Sequence, residues 1–488
     1  MTDAKIVRGL KATFLARIVR VAANGALVVV LTRVFLDPDQ YGLLFFAISV
    51  FGVALLFSDL GFAKSAARYV AEYKETDPRQ VPHIIRTGLQ VNLATILLVG
   101  AVFLVFGDRL AHLLGEPRSA HLLVLGAVYV AARSLNTFTT LLFQGFGRVE
   151  WSAVVGIASN LGKLAFVLGF VALGFGVFGA IVGYVVAYAV GAAVGLVALY
   201  RLFYATYDQA DDAEDGLTGR VLRYSVPLTA TKGAGVLDKR VDTILVGYFL
   251  NPAAVGFYTL GKQVADFVIA PASSLGFTIS PLYSERKTND GLERAARTYE
   301  TALEYVLLLY VPAAIGIVAV AGPGVRLVFG SDYAGAIPVV QVFSVYVVLR
   351  AIDKITNDGL DYLGRARARA YAKSGTAGAN FLLNLVLIPT LGVVGAAVAT
   401  VVTYAAMVSI NVYLIHQELA FSSGRLLRTG LQICGVSALM GVSLFFALPH
   451  VNGVVSLVGV VLLGVGVWAA LSILSGLLDV RQVFSMFG

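Results

Sequence analysis

Hydrophobic stretches recur along the whole chain, and each has about the 20-residue length that a helix needs to cross a bilayer. Short polar segments with Gly, Pro, Lys or Arg separate them. A transmembrane β-barrel would instead show shorter segments of alternating polarity. The pattern therefore predicts an all-α polytopic membrane protein with 14 transmembrane helices. The fourteen spans are placed at roughly residues 11–36, 42–70, 84–106, 119–145, 149–173, 177–204, 221–249, 256–283, 298–320, 333–361, 366–388, 393–416, 425–448 and 453–477.

The loops between these spans alternate in their content of lysine and arginine. With the N-terminus inside, the only basic residues in the external loops are Arg109, Arg118 and Arg326. Positive charge marks the cytoplasmic side of a membrane protein. A wrong span count would disturb the alternation from the error onward, so the pattern favours fourteen spans. It predicts a multi-pass protein of the cytoplasmic (inner) membrane with both termini in the cytoplasm, and no cleaved signal peptide is expected within residues 1–36.

Composition agrees with a membrane location. The chain is 58% hydrophobic and 14% charged, whereas soluble domains carry about 25% charged residues. The net charge of +8 follows from the basic cytoplasmic loops, for which anionic membrane lipids are sufficient partners, and no nucleic acid is expected. Cys434 is the only cysteine, so an intramolecular disulfide is excluded.

An internal repeat relates the two halves of the chain. Three pairs of segments match at offsets of 214 to 216 residues: FLDPDQYG (35–42) with FLNPAAVG (249–256), SDLGF (58–62) with SSLGF (273–277), and GVFGA (176–180) with GVVGA (392–396). Each repeat contains six spans, an even number, so both have the same orientation. The repeat predicts two six-helix lobes with a pseudo-two-fold axis along the membrane normal.

The repeat also sets the predicted domain boundaries. The N-lobe comprises residues 1–206 and the C-lobe residues 221–416. Between them, residues 207–220 carry five acidic side chains without hydrophobic periodicity, which is typical of a cytoplasmic linker. Spans 13 and 14, in residues 417–488, lie outside the repeat.

Several motifs resemble enzyme signatures without the required context. GFGVFG (174–179) satisfies a dinucleotide fingerprint but lies between two spans, and GFYTLGK (256–262) resembles a P-loop but is followed by Gln263 instead of Ser or Thr. Asp37 and Asp39 flank Pro38 in a short external loop, which favours a turn over an acidic catalytic pair. No histidines are paired at i, i+4, so no metal site is expected. We therefore expect no catalytic residues and no enzyme activity.

Ionisable residues at membrane depth are costly and are candidates for function. In span 1, Arg17, Arg20 and Asn24 lie at i, i+3 and i+7 and share one helix face. Either they face a polar cavity or the arginines extend to the interface; the depth of Arg20 favours the cavity. With Lys163 and Lys232, these residues predict a substrate-binding site for an anion such as phosphate.

The second half differs because its membrane-depth charges are balanced in sign. Lys262 and Asp266, for example, are four residues apart and could neutralise each other. The simplest role for the paired charges of this half is to hold spans 7, 8 and 10 together. Asp242, Asp266 and Glu304 are also candidate sites for a coupling ion, Na⁺ or H⁺, and no other cofactor is expected.

Three segments carry a resemblance to a known family, and together they cover both halves. They are LTRVFLDPDQYGLL (31–44), SDLGFAKSAARYVAEY (58–73) and LGVVGAAVAT (391–400). With them, the chain resembles the Wzx-like polysaccharide and oligosaccharide flippases, members of the multidrug/oligosaccharidyl-lipid/polysaccharide exporter superfamily that also contains lipid II flippases and MATE exporters. The resemblance implies two lobes around a central cavity and alternating access. Arg17 and Arg20 occupy a region in which lipid II flippases also carry cavity arginines.

The function implied by the resemblance is export of a polyprenyl- or dolichyl-(pyro)phosphate-linked oligosaccharide from the inner to the outer leaflet, for assembly of cell-surface polysaccharide or glycoprotein. Glycan-assembly enzymes are the expected partners, and the protein is expected to be a monomer. Two alternatives remain open at this point. One is a MATE-like cation-coupled multidrug exporter, and the other is a membrane glycosyltransferase that uses a lipid-linked sugar at Asp37 and Asp39.

Overall fold

A computed structural model describes residues 3–208, 210, 212–270, 289–419 and 421–478. Throughout these residues the regular structure is helical, and no strand occurs in them. The chain divides into two compact units, Met1–Gly256 (the first unit) and Phe257–Gly488 (the second unit). The predicted lobes at 1–206 and 221–416 follow the sequence repeat instead, and they stay a prediction.

The first unit is built from long helices joined by short turns. Its helices are α1 (Asp3–Val30), α2 (Pro38–Asp59), α3 (Phe62–Thr76), α4 (Val81–Leu113), the single turn α5 (Ala120–Leu123), α6 (Gly126–Gly145), α7 (Val149–Phe170), α8 (Gly176–Leu202), α9 (Leu217–Phe249) and the first residues of α10 (Pro252–Ile269).

The second unit continues α10 and adds five helices. These are α11 (Asn289–Gly324), α12 (Ile337–Tyr362), α13 (Ala366–Leu419), α14 (Ser423–Ala447) and α15 (Val454–Leu474). The helix α13 contains a sharp kink at Gly392 and covers two of the predicted spans.

The structure confirms that the protein is an all-helical membrane protein, but it does not establish the number of spans. In the described ranges, nine helices are long and apolar enough to cross a membrane, or ten if a pair bent by 50° near residue 125 is one span. Two of the nine, residues 149–206 and 366–419, are long enough to cross twice. The count of fourteen stays a prediction.

One predicted span, 42–70, is interrupted in the structure. Helix α2 ends at Asp59, Leu60 adopts φ 38°, Gly61 adopts φ 73°, and α3 begins at Phe62. The carbonyl of Ser58, in the last turn of α2, accepts a hydrogen bond from Asn92 Nδ2 at 3.0 Å. Hydrophobicity alone does not reveal this break, because two residues with positive φ end the helix and the sequence remains apolar around them.

The proline turns of the repeat have the same local structure in both copies. Pro38 is the first residue of α2 and Pro252 is the first residue of α10. At this position the backbone N–H has no acceptor within the helix, so proline loses no hydrogen bond. Asp37 Oδ1 accepts a hydrogen bond from the Gln40 backbone N–H at 2.8 Å. Asn251 Oδ1 accepts one from the Ala254 N–H at 2.9 Å. Both copies are thus the N-capped starts of helices.

These two turns also lie against each other, and all four residues involved belong to the first unit. A side-chain carbon at Gly42 would overlap the carbonyl oxygen of Pro252, and one at Gly256 would overlap the carbonyl oxygen of Pro38. Glycine is required at both positions because only a residue without Cβ lets the two backbones approach this closely.

The second repeated motif, GVFGA and GVVGA, likewise has one backbone conformation in both copies. Gly176 has φ 52° and ψ −135°, and Gly392 has φ 62° and ψ −146°. Both angles lie in a region that favours glycine. The GFGVFG segment thus lies at the turn between α7 and α8, which pack against each other, as expected from its position between two spans. SSLGF, the partner of SDLGF, lies outside the described residues.

The described part of the acidic linker, which belongs to the first unit, packs against α3 and the start of α4. The Tyr73 hydroxyl donates to Glu214 Oε2 at 2.6 Å, and Arg220 Nη2 donates to Glu214 Oε1 at 2.5 Å. The backbone N–H of Glu214 donates to Gln80 Oε1 at 3.2 Å. The linker is thus attached at the end of α3 and the start of α4, beside a core that contains Phe138 and Phe143.

Candidate functional site

A lysine and an asparagine meet in the interior of the first unit. Lys163 Nζ, on α7, donates a hydrogen bond at 2.9 Å to Asn24 Oδ1, on α1. The lysine is only 8% exposed. A buried ammonium group needs polar partners to offset its lost hydration, and the asparagine carbonyl supplies one without neutralising the charge. The pair therefore keeps a positive charge inside the helix bundle.

An arginine and a tyrosine extend this polar region. The guanidinium carbon of Arg133, on α6, lies 4.4 Å from the centre of the Tyr188 ring, on α8. Lys163 Nζ lies 6.0 Å from the same ring centre. Both distances suit a cation–π interaction. Two cations from different helices thus lie next to the ring of Tyr188.

Two more arginines are close to this group. Arg20, on α1, is exposed and lies within electrostatic range of Lys163. Arg240, on α9, packs against Gly52 of α2 and is within electrostatic range of Tyr188. We refer to these residues together as the cation–tyrosine cluster, which consists of Arg20, Asn24, Arg133, Lys163, Tyr188 and Arg240.

Two further tyrosines complete the aromatic part of this region. The ring centres of Tyr129 and Tyr188 are 5.7 Å apart with perpendicular planes, and those of Tyr184 and Tyr188 are 6.3 Å apart. All three tyrosines are buried. Tyrosine combines an aromatic face with a hydroxyl group, so the region offers both stacking and hydrogen bonding beside its positive charges.

The cluster has an excess of positive charge. Within the part of the chain that the structure describes, no carboxylate lies at ion-pair distance from Arg20, Arg133, Lys163 or Arg240. Four cations on four helices would repel one another in a medium of low polarity. Such an arrangement favours an anionic ligand, and the planar guanidinium groups suit phosphate or carboxylate oxygens.

The structure brings part of the predicted site together. Asn24 and Lys163 are in direct contact and Arg20 is near them. Arg17 is half-buried on the same helix, and the side chain of Lys232 lies outside the described residues. The substrate-binding role of all five stays a prediction.

Sequence reasoning missed Arg133, Arg240 and Tyr188 as members of this site. The two arginines were recognisable as ionisable residues at membrane depth, but their helices are far apart in the sequence. Arg240 belongs to the second sequence repeat, although its helix packs in the first unit. No sequence signal separates Tyr188 from the other 21 of the 22 tyrosines.

Several membrane-depth charges of the second unit form ion pairs. Asp266 forms an ion pair with Arg350, and Lys354 Nζ lies 3.1 Å from Asp358 Oδ1. Arg425 Nε lies 3.1 Å from Glu304 Oε1. Asp266 is thus paired with a residue of another helix.

The three residues predicted as coupling sites therefore differ in their surroundings. Asp266 and Glu304 each have a cationic partner. Asp242, on α9 in the first unit, is 2% exposed. Their role in ion coupling stays a prediction.

Asp37 and Asp39 have structural partners. Asp37 caps α2, and Asp39 Oδ2 lies 3.1 Å from Arg118 Nη1. Hydrogen bonds to Glu116 and then to Asp39 raise the pKa of Arg118. These contacts account for both aspartates without a catalytic role. Among the described residues, no group of three His, Cys, Asp or Glu side chains is placed to hold a metal ion.

Comparison with known families gives a match that covers more than half of the chain. The family model described as "Polysaccharide biosynthesis protein" matches residues 7–283. The chain belongs to this polysaccharide biosynthesis protein family. The match includes every residue of the cation–tyrosine cluster and both proline turns, and it confirms the Wzx-like membership that the three sequence segments indicated.

Individual relatives of this family member are distant in sequence. "Probable low-salt glycan biosynthesis flippase Agl15" of Haloferax volcanii is 25% identical over 49% of this chain and 50% of its own length. "Lipopolysaccharide biosynthesis protein WzxC" of Escherichia coli is 25% identical over 71% of this chain and 68% of its own. The Agl15 match thus spans about half of that relative.

Solved structures show a shared fold. "Lipid II flippase MurJ, inward closed conformation" has a TM-score of 0.78 at 14% identity and covers 96% of this chain and 98% of its own. An inward-facing "multidrug resistance MATE family transporter" has a TM-score of 0.66 at 15% identity and covers 83% of this chain and 94% of its own. At these identities the likeness concerns the fold alone.

Proposed function

We propose that this protein is a flippase for lipid-linked glycans. It moves an oligosaccharide attached to a polyprenyl or dolichyl (pyro)phosphate from the inner to the outer leaflet of the cytoplasmic membrane, for assembly of surface polysaccharide or glycoprotein. The relatives named as a glycan biosynthesis flippase and as a lipopolysaccharide biosynthesis protein support this substrate class.

The observation that carries the proposal is the unbalanced positive charge of the cation–tyrosine cluster. A phosphate group bound between Arg133 and Lys163 would neutralise charges that have no carboxylate partner among the described residues. Charge-assisted hydrogen bonds to phosphate are strong in a site of low polarity. Tyrosine rings beside the cations provide surfaces on which sugar rings can pack.

The proposed mechanism is alternating access. The cluster holds the phosphate and the first sugars, while the lipid chain stays in the bilayer. A change between inward-open and outward-open states then carries the headgroup across. The protein acts as a monomer with both termini in the cytoplasm, and it receives its substrate from glycan-assembly enzymes.

The decisive experiment removes the charges while keeping the size of the side chains. The double variant Arg133→Gln/Lys163→Gln is reconstituted in vesicles with a fluorescent polyprenyl-pyrophosphate oligosaccharide, and the fraction that becomes accessible in the opposite leaflet is measured. We expect a loss of transport at normal protein levels and normal thermal stability, because the anion site is lost.

The matched control is Arg148→Gln, which removes an arginine from an exposed pair with Glu150. It should transport like the original protein. Full transport by the double variant would contradict the role of the cluster. Broad drug resistance in cells that produce the protein, without movement of the glycan, would instead favour a MATE-like exporter.

A further inference from the structure

An arginine near the predicted cytoplasmic end of the first unit lies against two tyrosines. The guanidinium carbon of Arg68, on α3, is 4.0 Å from the centre of the Tyr224 ring, on α9, and 5.7 Å from that of Tyr69. The ring centres of the two tyrosines are 6.1 Å apart, with perpendicular planes. These distances suit cation–π interactions, so the two rings fix the position of the guanidinium group.

The two helices that carry these residues are joined at the same place. The Ser65 hydroxyl, on α3, donates a hydrogen bond at 2.6 Å to the carbonyl of Val221, on α9, and both residues are buried. Just before α3, a side-chain carbon at Gly61 would lie 2.8 Å from the carbonyl oxygen of Ser225. The helices are thus in close contact, and Arg68 and Tyr224 are held in a fixed relation.

The charge of Arg68 is not neutralised within the ranges that the structure describes. Glu72 is exposed on the same helix at the i, i+4 spacing of a helical ion pair, yet the guanidinium packs over Tyr224 instead. Lys64, one turn before Arg68, and Arg223, next to Tyr224, are also exposed, and no carboxylate of those ranges lies at ion-pair distance from either. We call the following residues the α3–α9 patch: Lys64, Arg68, Tyr69, Arg223 and Tyr224.

This patch is separate from the cation–tyrosine cluster. Arg240, the member of the cluster on α9, lies about 24 Å further along that helix than Tyr224, at a rise of about 1.5 Å per residue. The other members of the cluster belong to α1, α6, α7 and α8. A ligand at the patch therefore does not occupy the cluster, and the patch requires its own explanation.

We propose that the α3–α9 patch binds a phosphorylated lipid headgroup at the inner leaflet. A guanidinium group that packs on a ring uses its face, so the N–H groups at its edge can hold two oxygens of one phosphate. Lys64 and Arg223 add positive charge that attracts the same anion.

Two kinds of lipid carry such a headgroup. One is the carrier lipid of the glycan, which would meet the patch before it reaches the cluster, and this assignment rests on the proposed function. The other is an anionic phospholipid of the membrane, for which no transport is needed. The phosphate chemistry at the patch is the same for both, so the experiment must use one probe of each kind.

Binding at the patch is measured in a chain that lacks two charges of the cluster. The purified full-length variant Arg133→Gln/Lys163→Gln is incubated in detergent with farnesyl pyrophosphate or with short-chain phosphatidylglycerol. Phenylglyoxal then modifies accessible arginines, and mass spectrometry gives the rate at each one. We expect farnesyl pyrophosphate to slow the modification of Arg68. Since this variant lacks the charges proposed for transport, the result does not depend on the flippase proposal.

The two probes distinguish the sources of the headgroup. Protection of Arg68 by farnesyl pyrophosphate supports a site for the carrier lipid, and protection by phosphatidylglycerol alone supports a site for a membrane phospholipid. The internal control is Arg148, an exposed arginine paired with Glu150. Its rate of modification should be the same with and without either lipid.

Substitutions in the patch test how the site is built. Tyr224→Phe keeps the ring and should keep the protection of Arg68, whereas Tyr224→Leu should weaken binding about threefold because the cation–π contact is lost. Arg68→Gln should weaken binding of radiolabelled farnesyl pyrophosphate about tenfold, as expected for one charge-assisted phosphate contact.

Three results would overturn the proposal. They are an unchanged rate at Arg68 with both lipids, equal protection of Arg148, and unchanged binding of both lipids by Arg68→Gln. The rate at Arg68 is measured without any substitution in the patch, so the test does not depend on whether a patch variant folds.

Discussion

The two sequence repeats share their backbone features but not their interior charges. Asp37 and Asn251 cap equivalent helices, and Gly176 and Gly392 have nearly the same φ and ψ values. At membrane depth, Lys163 of the first repeat has a neutral partner. Asp266 of the second repeat has a charged partner on another helix.

This difference indicates which features serve the fold and which serve the substrate. A helix cap or a glycine hairpin is needed wherever a chain turns, so duplication preserves it. Interior charges are costly in either half. The second unit reduces that cost by pairing most of them, whereas the first leaves cations that a negative ligand can neutralise. The shared features should therefore affect stability, and the charges of the first unit should affect binding.

The largest stability effect should come from the contact between the two proline turns. Gly42→Ala places a methyl group on the carbonyl oxygen of Pro252, and neither backbone can move without disturbing its helix. We expect a loss of about 3 kcal/mol, seen as a lower melting temperature in detergent. Gly156→Ala is the control, since nothing lies within 4 Å of its added carbon. Equal stability of the two variants would show that the turns do not need their close contact.

A smaller effect is expected at the buried lysine of the first unit. Asn24→Leu removes the acceptor of Lys163 and should destabilise the protein by about 2 kcal/mol, because a buried ammonium loses its hydrogen bond. Asp358→Asn, which breaks a more exposed pair in the second unit, should cost about 0.5 kcal/mol. Thermal unfolding compares the two. A larger loss of stability in Asp358→Asn than in Asn24→Leu would contradict the difference proposed between the two units.

The helix caps should contribute equally in the two repeats. Asp37→Ala and Asn251→Ala each remove a side-chain acceptor from the start of a helix. We expect each to lower stability by about 1 kcal/mol, and Asp37→Asn to be nearly neutral since asparagine also caps helices. Melting temperatures of the three variants test this. A large difference between the two alanine variants would mean that the repeats are not equivalent here.

The smallest effect should appear at the linker and should depend on pH. A hydrogen bond from the Tyr73 hydroxyl, and then the bond and charge of Arg220, hold the pKa of Glu214 below its usual value of 4.5. Burial, and then Glu214, raise the pKa of Tyr73 to about 12. A lowered carboxyl pKa stabilises the contact above pH 4.5, and this contribution is lost as pH falls through the lowered value.

Hydrogen exchange of the linker amides, corrected for intrinsic rates, measures this contact. Exchange of the amides near Glu214 should become faster as the pH falls below 4.5. At pH 7, the same amides should exchange faster in Glu214→Gln than in the original protein. Glu150→Gln, at an exposed pair with Arg148, is the control. Slow exchange in Glu214→Gln at pH 7 would show that other contacts hold the linker.

Part of the site was accessible to sequence reasoning for a clear physical reason. Charged residues inside a hydrophobic segment stand out because they are costly there, so Arg20 and Lys163 were recognised and are close to each other in the structure. Asn24 was found because helical periodicity places it on the face of Arg20. Such rules concern one helix at a time. They give no means of finding Tyr188, whose contact with Arg133 joins two helices.

The sequence by itself determined the helical membrane class, the internal repeat and the family, since hydrophobicity, periodicity and local turn motifs are properties of neighbouring residues. Only the tertiary structure decided which charges are paired. Asp266 pairs with Arg350 on another helix, and Asp353 contacts neutral groups from two helices. Pairing depends on the distance between side chains from different helices, and that distance is set by how the helices pack.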